Sequence, residues 1–378
     1  MPVNWMIAGP DGSFAKVPLQ KLAVTIQTTP GAFALRPVID SIHLTSRAKK
    51  AHEMLTDGSL PKQLPPSMYY LMAYWAAIWS KLQLAAQPDK SHPIKRSTRR
   101  VLRYRYTFDL HLQNSKSRPL LCLPAKYGNT PPMLLMLNAD QLGPAGLIEL
   151  EQVWNGLVGD LLPFRGLLLD ARVSRLDTAI DILNVSLPDL FLHHDKIWKV
   201  WAVHHPTSGL QTIQYYLVKQ NQKSPFSNPK KRSDLIVYDK RSEQLDHGKD
   251  PRYGSLPHTR IERSQNPTTL VRNILSLKPN FDGWTIVRVD GFGGKPQDDW
   301  RRFIDSLRSR GIAAAGSLHK GMPTLPVQID SMGPQDLIVP ELLESWDVLG
   351  TSKFIQTLAT WANLPSEVAM ATSDTGLL

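Results

Sequence analysis

Val173-Ser174-Arg175-Leu176-Asp177-Thr178-Ala179-Ile180-Asp181 is the stretch on which the reading of this chain turns. Taken with the period of two that an extended strand imposes, Arg175, Asp177, Ala179 and Asp181 share one face, and Leu176, Thr178 and Ile180 line the other. A packed face carrying two carboxylates and a guanidinium is costly, so it needs a compensating partner. One candidate is a divalent cation, because hard cations take carboxylate oxygens and a strand holds two of them at fixed spacing. The other is an ordinary ion pair between Arg175 and Asp177 on a solvated edge strand.

Outward from this strand, the composition is that of a folded chain. Hydrophobic residues make up 42% of the 378 positions and charged residues 20%, which excludes a disordered polyelectrolyte. The formal net charge of +11 favours a polyanionic partner, nucleic acid before an anionic membrane. From Asp330 onward seven acidic residues face one lysine, a net of −6, so residues 1–329 carry +17. Cys122 is the single cysteine, which rules out an intrachain disulfide and a cysteine-rich zinc site. The N-terminus lacks the charged-then-apolar layout of a signal peptide. The most apolar run, Met68 to Trp79, is too short to span a bilayer and predicts a buried helix. The expectation is a cytoplasmic protein with no membrane association.

Along the chain, Leu22–Gln27 predicts a strand, Met68 to about Leu82 a helix, and Gln87–Arg100 a basic, proline-punctuated linker. Val101–Leu112 alternates Arg103 and Arg105 with Tyr104, Tyr106 and Phe108, a strand with one basic face suited to phosphate. Met133–Asn138 predicts a buried strand and Ala145 to about Leu161 a helix. Strands follow at 199–203 and 212–219, then a basic loop over 219–232 containing Lys230, Lys231 and Arg232. Strands are expected at Asp234–Lys240, Thr259–Arg263 and Trp284–Val289. Helices are expected at 268–277, after Asn266-Pro267, and at 298–310, an amphipathic segment offering Arg301, Arg302 and Arg308 to DNA. The fold class expected is α+β, a mostly antiparallel sheet with helices on one face. Composition divides it into an N-terminal region (1–100), a catalytic domain (101–270) and a C-terminal region with a basic helix and an acidic tail (271–378).

Three of these strands carry functional groups at alternate positions: Asp177 and Asp181, Tyr238 and Lys240, Arg260 and Glu262. If they are neighbours in one sheet, their polar faces converge on a set suited to tyrosine transesterification on DNA. A phenolate attacks phosphorus, a cation polarises a phosphoryl oxygen, and Arg or Lys stabilises the developing charge. The adjacent pairs His193-His194 and His204-His205 point to opposite sides of a strand and read as structural or surface residues. Tyr215-Tyr216 offers an alternative nucleophile.

The ordered set Arg175-Leu-Asp177-Thr-Ala-Ile-Asp181, Val237-Tyr238-Asp-Lys240-Arg-Ser-Glu243 and Thr259-Arg260-Ile-Glu262 resembles the replication-initiation-factor family, the rolling-circle initiators of small plasmids and some phages that lack the two-histidine metal motif. Leu134-Leu-Met-Leu-Asn138-Ala-Asp-Gln-Leu142 is similar to that family's apolar strand entering a helix. The resemblance covers about residues 130–265. It implies Tyr238 as nucleophile, Asp177, Asp181 and Glu262 as ligands of Mg²⁺ or Mn²⁺, and Arg175, Lys240, Glu243 and Arg260 as phosphate-binding or supporting groups. It further implies origin DNA, duplex and partly melted or cruciform, as substrate, with a host helicase and a second copy of the chain as further partners. Two departures stand out: Met136 occupies a position where the family often has an acid, and the basic loop at 219–232 replaces a short glycine-serine turn. The rival readings are a non-catalytic DNA-binding regulator on the same fold, indifferent to Tyr238, and an RNA-binding or structural protein working through the Arg/Tyr strand.

Overall fold

The computed structural model describes residues 4–8, 14–18, 33–48, 68–86, 93–115, 117–126, 130–194, 197–205, 209–217, 235–277, 281, 284–288, 297–310, 318 and 352–370. The strand expected at 22–27 and the basic residues Lys230, Lys231 and Arg232 lie outside them. The chain is α+β, built on a large antiparallel sheet with helices, as its alternating apolar segments predict. Among the described residues no helix is long and apolar enough to cross a membrane.

The chain forms two compact units, each assembled from separate segments: Met1–Val38, Thr178–Ser264 and Pro279–Gly350 in the first, Ile39–Asp177, Gln265–Lys278 and Thr351–Leu378 in the second. Composition sets boundaries near 100 and 270. The division instead falls within two long strands, β3 (Phe33–Ser46) and β8 (Arg172–Leu183).

In the first unit β1 (Asn4–Ala8) pairs with β2 (Phe14–Pro18) and with the start of β3. The main strand order begins β10 (Ile197–His205), β11 (Gly209–Leu217), β12 (Leu235–Asp239), β13 (His258–Gln265) and β8. Alternation decides which face is buried. Ile180, Ile182, Ile213, Leu235, Val237 and Ile261 all enter one core cluster with Phe281 and Trp284, so the residues between them present the opposite face. A short pair, β9 (Leu190–His193) with β15 (Thr285–Arg288), completes this unit's strands among the described residues. The basic helix expected near 298–310 forms as Gln297–Arg310.

In the second unit the order is β8, β3, β7 (Met133–Leu137), β6 (Leu120–Ala125), β5 (Tyr104–Leu110) and β4 (Ile94–Arg96). Helix α1 (Met68–Ala85) is anchored by Trp75, whose indole donates to the Arg47 carbonyl at 2.9 Å. Helix α2 (Ala139–Val158) opens with one turn capped by Asn138, whose side chain accepts from the Gln141 amide, is broken at Gly143, and runs on past Pro144 where its apolar periodicity begins. Gly143, at φ +61°, then takes the left-handed turn before Pro144. Trp154 is fully buried, meets Phe164 edge-on, and donates to the Leu162 carbonyl at 2.6 Å. The helix expected at 268–277 is instead a two-residue strand, β14 (Thr269–Leu270), followed by a 3₁₀ turn, Val271–Ser276. Thr268 sits at φ +53°, and Thr269 and Leu270 pair with Val173 and Arg172. Sheet pairing overrides the Asn-Pro start signal.

Candidate active site

The first unit brings Tyr238, Arg260, Glu262 and Asp181 onto adjacent strands. Val237 points into the core, so Tyr238 faces away from it; Ile261 does the same for Arg260 and Glu262. In the register of β12 and β13, Tyr238 lies opposite Arg260, and Glu262 lies one diagonal step away, opposite Ile236. The Tyr238 hydroxyl donates to Glu262 Oε2 at 3.3 Å, and both side chains are half-buried.

Lys240 does not continue the strand, as a period of two implies. Asp239 ends β12 and caps a short helix, α3 (Lys240–Asp246), accepting from the Ser242 amide at 2.9 Å and its hydroxyl at 2.8 Å. Lys240 nonetheless reaches the site, its ammonium 5.4 Å from the centre of the Tyr238 ring. Its partner is Glu243, one turn along the helix at 2.8 Å. Lys240 and Glu243 therefore act as a helix-borne pair beside the tyrosine.

Asp181 and Arg260 form the interior of the site. Asp181 is 0% exposed and Arg260 3%. The guanidinium grips the carboxylate with two bonds, Nε to Oδ1 at 2.5 Å and an Nη to Oδ2 at 2.9 Å. His258, two residues before Arg260 on the same face, brings Nε2 to 3.1 Å from Oδ1, close enough for charge attraction but off the line of a well-directed hydrogen bond. Burial pushes the Asp181 carboxyl upward, yet the charge and hydrogen bonds of Arg260, with His258 close by, outweigh it and hold the group well below the usual carboxylate range. Tyr253 packs edge-on against His258, with ring centres 5.1 Å apart, and its hydroxyl accepts from Arg36 at 3.4 Å. Tyr253, His258 and Arg36 escape the sequence reading. A His-x-Arg-x-Glu alternation over 258–262 was the available signal for the histidine; Arg36 and Tyr253 have none.

Arg175 and Asp177 belong to the second unit and pair with each other, Nε to Oδ1 at 2.7 Å. This is the simpler of the two readings of the 173–181 stretch, although β8 lies inside the strand order and not at an edge. Tyr215 is core, edge-on to Trp284 at 5.5 Å between ring centres, and Tyr216 donates to Gln214 at 2.8 Å.

Of the DNA-contact candidates, Arg103, Arg105 and Arg302 are exposed. Arg301 is gripped by Asp189 in two bonds of 2.5 and 2.8 Å, which ties the basic helix to the turn ahead of β9. The side chain of Arg308 lies outside the described residues. Met136 packs against a small cluster of Tyr104, Leu120, Cys122 and Leu134, in apolar surroundings that would penalise an acid there.

Asp177, Asp181 and Glu262 do not fit a three-carboxylate metal cage. The Asp181 oxygens are spent on Arg260 and His258, and Asp177 is spent on Arg175. Among the described residues no three His, Cys, Asp or Glu side chains are grouped to hold a cation. Compared with known proteins, the chain matches no protein-family model and no curated relative.

Proposed function

We propose that this chain is a DNA strand-transferase that nicks one strand through Tyr238, in the manner of rolling-circle replication initiators. The observation that carries the proposal is the Tyr238 hydroxyl held on the Glu262 carboxylate at 3.3 Å with the Lys240 ammonium beside the ring. A nucleophile, a base within reach and a cation set a tyrosine for attack. Glu262 takes the phenolic proton as Tyr238 Oη bonds to phosphorus. The P–O3′ bond breaks, and the proton on Glu262 passes to the departing 3′ oxygen. The products are a 5′-phosphotyrosyl link and a 3′-hydroxyl able to prime synthesis, and the phosphodiester energy is kept for rejoining. The Lys240 ammonium, 5.4 Å from the ring centre, carries the sign that favours negative charge on the tyrosine. Arg260 serves by position, since its guanidinium is committed to Asp181.

Support also comes from the ordered motifs that resemble the replication-initiation-factor family and from the basic charge of residues 1–329. Mg²⁺ or Mn²⁺ enters as an ion brought with DNA phosphates, a mode that needs only one or two carboxylates from the protein. Origin DNA is the substrate of the proposal, with a host helicase and a second copy of the chain as partners of a full replication cycle, and the cytoplasm as its place.

The test is nicking of supercoiled plasmid bearing the protein's own gene and flanking DNA, in Mg²⁺, Mn²⁺ or EDTA. Wild type yields nicked circles with a covalent 5′ adduct. Tyr238→Phe abolishes both, and Glu262→Gln slows nicking by about 10²- to 10⁴-fold. Cleavage surviving Tyr238→Phe refutes the assignment. Tight DNA binding without cleavage in any metal favours the non-catalytic regulator.

A further inference from the structure

The second unit carries a surface that the nicking proposal does not use. β4 and β5 form an antiparallel hairpin, Ile94 opposite Leu110 and Arg96 opposite Phe108. Between Lys95 and Arg105 the chain has six basic residues and no acidic one. The connecting loop is held from several sides. The Thr107 hydroxyl donates to the Arg99 carbonyl, the Ser97 amide donates to the Thr107 carbonyl at 2.8 Å, and Arg99 pairs with Asp109. The Lys126 amide donates to the Arg103 carbonyl at 2.9 Å, fixing the far side to the end of β6. Beneath the hairpin Trp79 stacks on Tyr106, ring centres 5.4 Å apart, and Arg96 lies over the same ring at 4.8 Å.

At the tip, a turn closed by the Tyr104 amide on the Val101 carbonyl at 2.9 Å projects Leu102 outward, 84% exposed. Arg100, Arg103 and Arg105 are exposed around it, and among the described residues none of the three has an acidic partner. An anchored hairpin that presents one bare leucine inside a group of arginines is built to meet a polyanion with an apolar interior.

We propose that the β4–β5 hairpin is a DNA wedge: Arg100, Arg103 and Arg105 take backbone phosphates of a duplex, and Leu102 presses against a base step from the minor groove and unstacks it. The inference rests on DNA being the partner, as in the nicking proposal, and supplies what that proposal lacks, a means of loosening duplex DNA without ATP. Apolar wedges flanked by arginine are a recurring way to enter the minor groove and kink the stack. Guanidinium groups match phosphate in bidentate fashion. An anionic bilayer offers phosphate too, but a single leucine is a meagre anchor when even a whole myristoyl chain binds only marginally.

The test uses the full chain as Tyr238→Phe, so that no cleavage intervenes, and a short A·T-rich duplex carrying 2-aminopurine. Binding is expected to raise the probe's fluorescence as its neighbours unstack. Leu102→Ala should bind with nearly unchanged affinity and lose the rise, and because Leu102 is exposed the variant keeps its fold. The triple variant Arg100→Ala, Arg103→Ala, Arg105→Ala should lower the slope of log K against log salt by about 2.7, three phosphates' worth. A full fluorescence rise in Leu102→Ala, or an unchanged slope in the triple variant, overturns the wedge. Binding to phosphatidylserine vesicles but not to the duplex overturns it in favour of a membrane surface. With Tyr238 restored, Leu102→Ala should slow nicking of relaxed duplex and spare a single-stranded oligonucleotide. Should wild type nick nothing while Leu102→Ala still abolishes unstacking, the nickase reading fails and the wedge stands.

Discussion

Arg260→Ala should be among the most destabilising single changes this chain can carry, and the reason lies with its partner. Truncation removes both bonds that the guanidinium makes to Asp181 and leaves a carboxylate that is 0% exposed. His258 stays beside it, Nε2 at 3.1 Å from Oδ1. Stranding one half of a buried ion pair costs about 3–5 kcal/mol. Asp181→Asn should cost a similar amount by stranding the guanidinium. The double variant Asp181→Leu, Arg260→Met removes both charges and should recover most of the loss, since well-packed apolar replacements of buried pairs are often neutral. Urea unfolding of the three variants at neutral pH, followed by tryptophan fluorescence, gives the cycle directly. Losses that add, or single losses under about 1 kcal/mol, would refute the pairing.

Acid provides a second arm with a definite sign. The folded-state pKa of Asp181 is depressed below the ordinary carboxylate value of about 3.9. The unfolded chain therefore takes up the proton first, and stability rises with pH through that range. The contribution is fully present above about pH 5 and is lost as pH falls toward the folded value, so the gap between wild type and Asp181→Asn should close in acid. The same variant separates a structural carboxylate from a metal ligand. A structural Asp181 lowers the urea midpoint in cation-free buffer. A ligand would leave that midpoint alone and raise the Mn²⁺ concentration required for nicking.

Two further outcomes follow from single side chains. Cys122 is buried between β5 and β7, and burial pushes its thiol up to about 12 against the opposing pull of Arg99; it should ignore Ellman's reagent at pH 8 in the native chain and react fully in urea, and rapid native labelling would contradict the packing. Arg301→Ala should lower stability by about 1 kcal/mol, the modest figure suited to a pair whose arginine is 39% exposed, with DNA affinity unchanged; lost affinity at constant stability would return Arg301 to the DNA surface.

The fold was legible wherever one face of an element is buried. The segments at 133–137, 172–183 and 258–265 show apolar runs or alternation, and all three form strands. The errors come from competition between local rules. Asp239 was read as a strand residue between Tyr238 and Lys240, but an acid followed three residues later by Ser242 and then Glu243 is also a helix start, and capping prevailed. Residues 268–277 lost their helix to pairing with β8. The division of the chain was not legible because β3 and β8 each serve both units, and no change of composition marks a strand's middle. At the site, alternation placed Tyr238, Arg260 and Glu262 on one face correctly but could not say which carboxylate would be consumed by a guanidinium.

The carboxylate that Arg260 consumes also decides what the spacing within a single strand can accomplish. Arg260 and Glu262 stand two apart on β13, so any shift of one residue would carry both to the core face. The buried grip of Arg260 on Asp181 resists such a shift, because a slipped strand would leave two charges stranded among Val237, Ile180 and their neighbours. In the correct register Tyr238 stands opposite Arg260, and its hydroxyl falls on Glu262. The ion pair therefore fixes the register that the tyrosine and its base require. On this view Asp181 contributes to chemistry without touching DNA or a cation. The apolar double variant, stable but no longer pinned by charge, should show its defect in the Tyr238–Glu262 contact and not in its fold: near-wild-type urea stability with slowed nicking is the expected result, and wild-type nicking would mean that the apolar alternation alone holds the register.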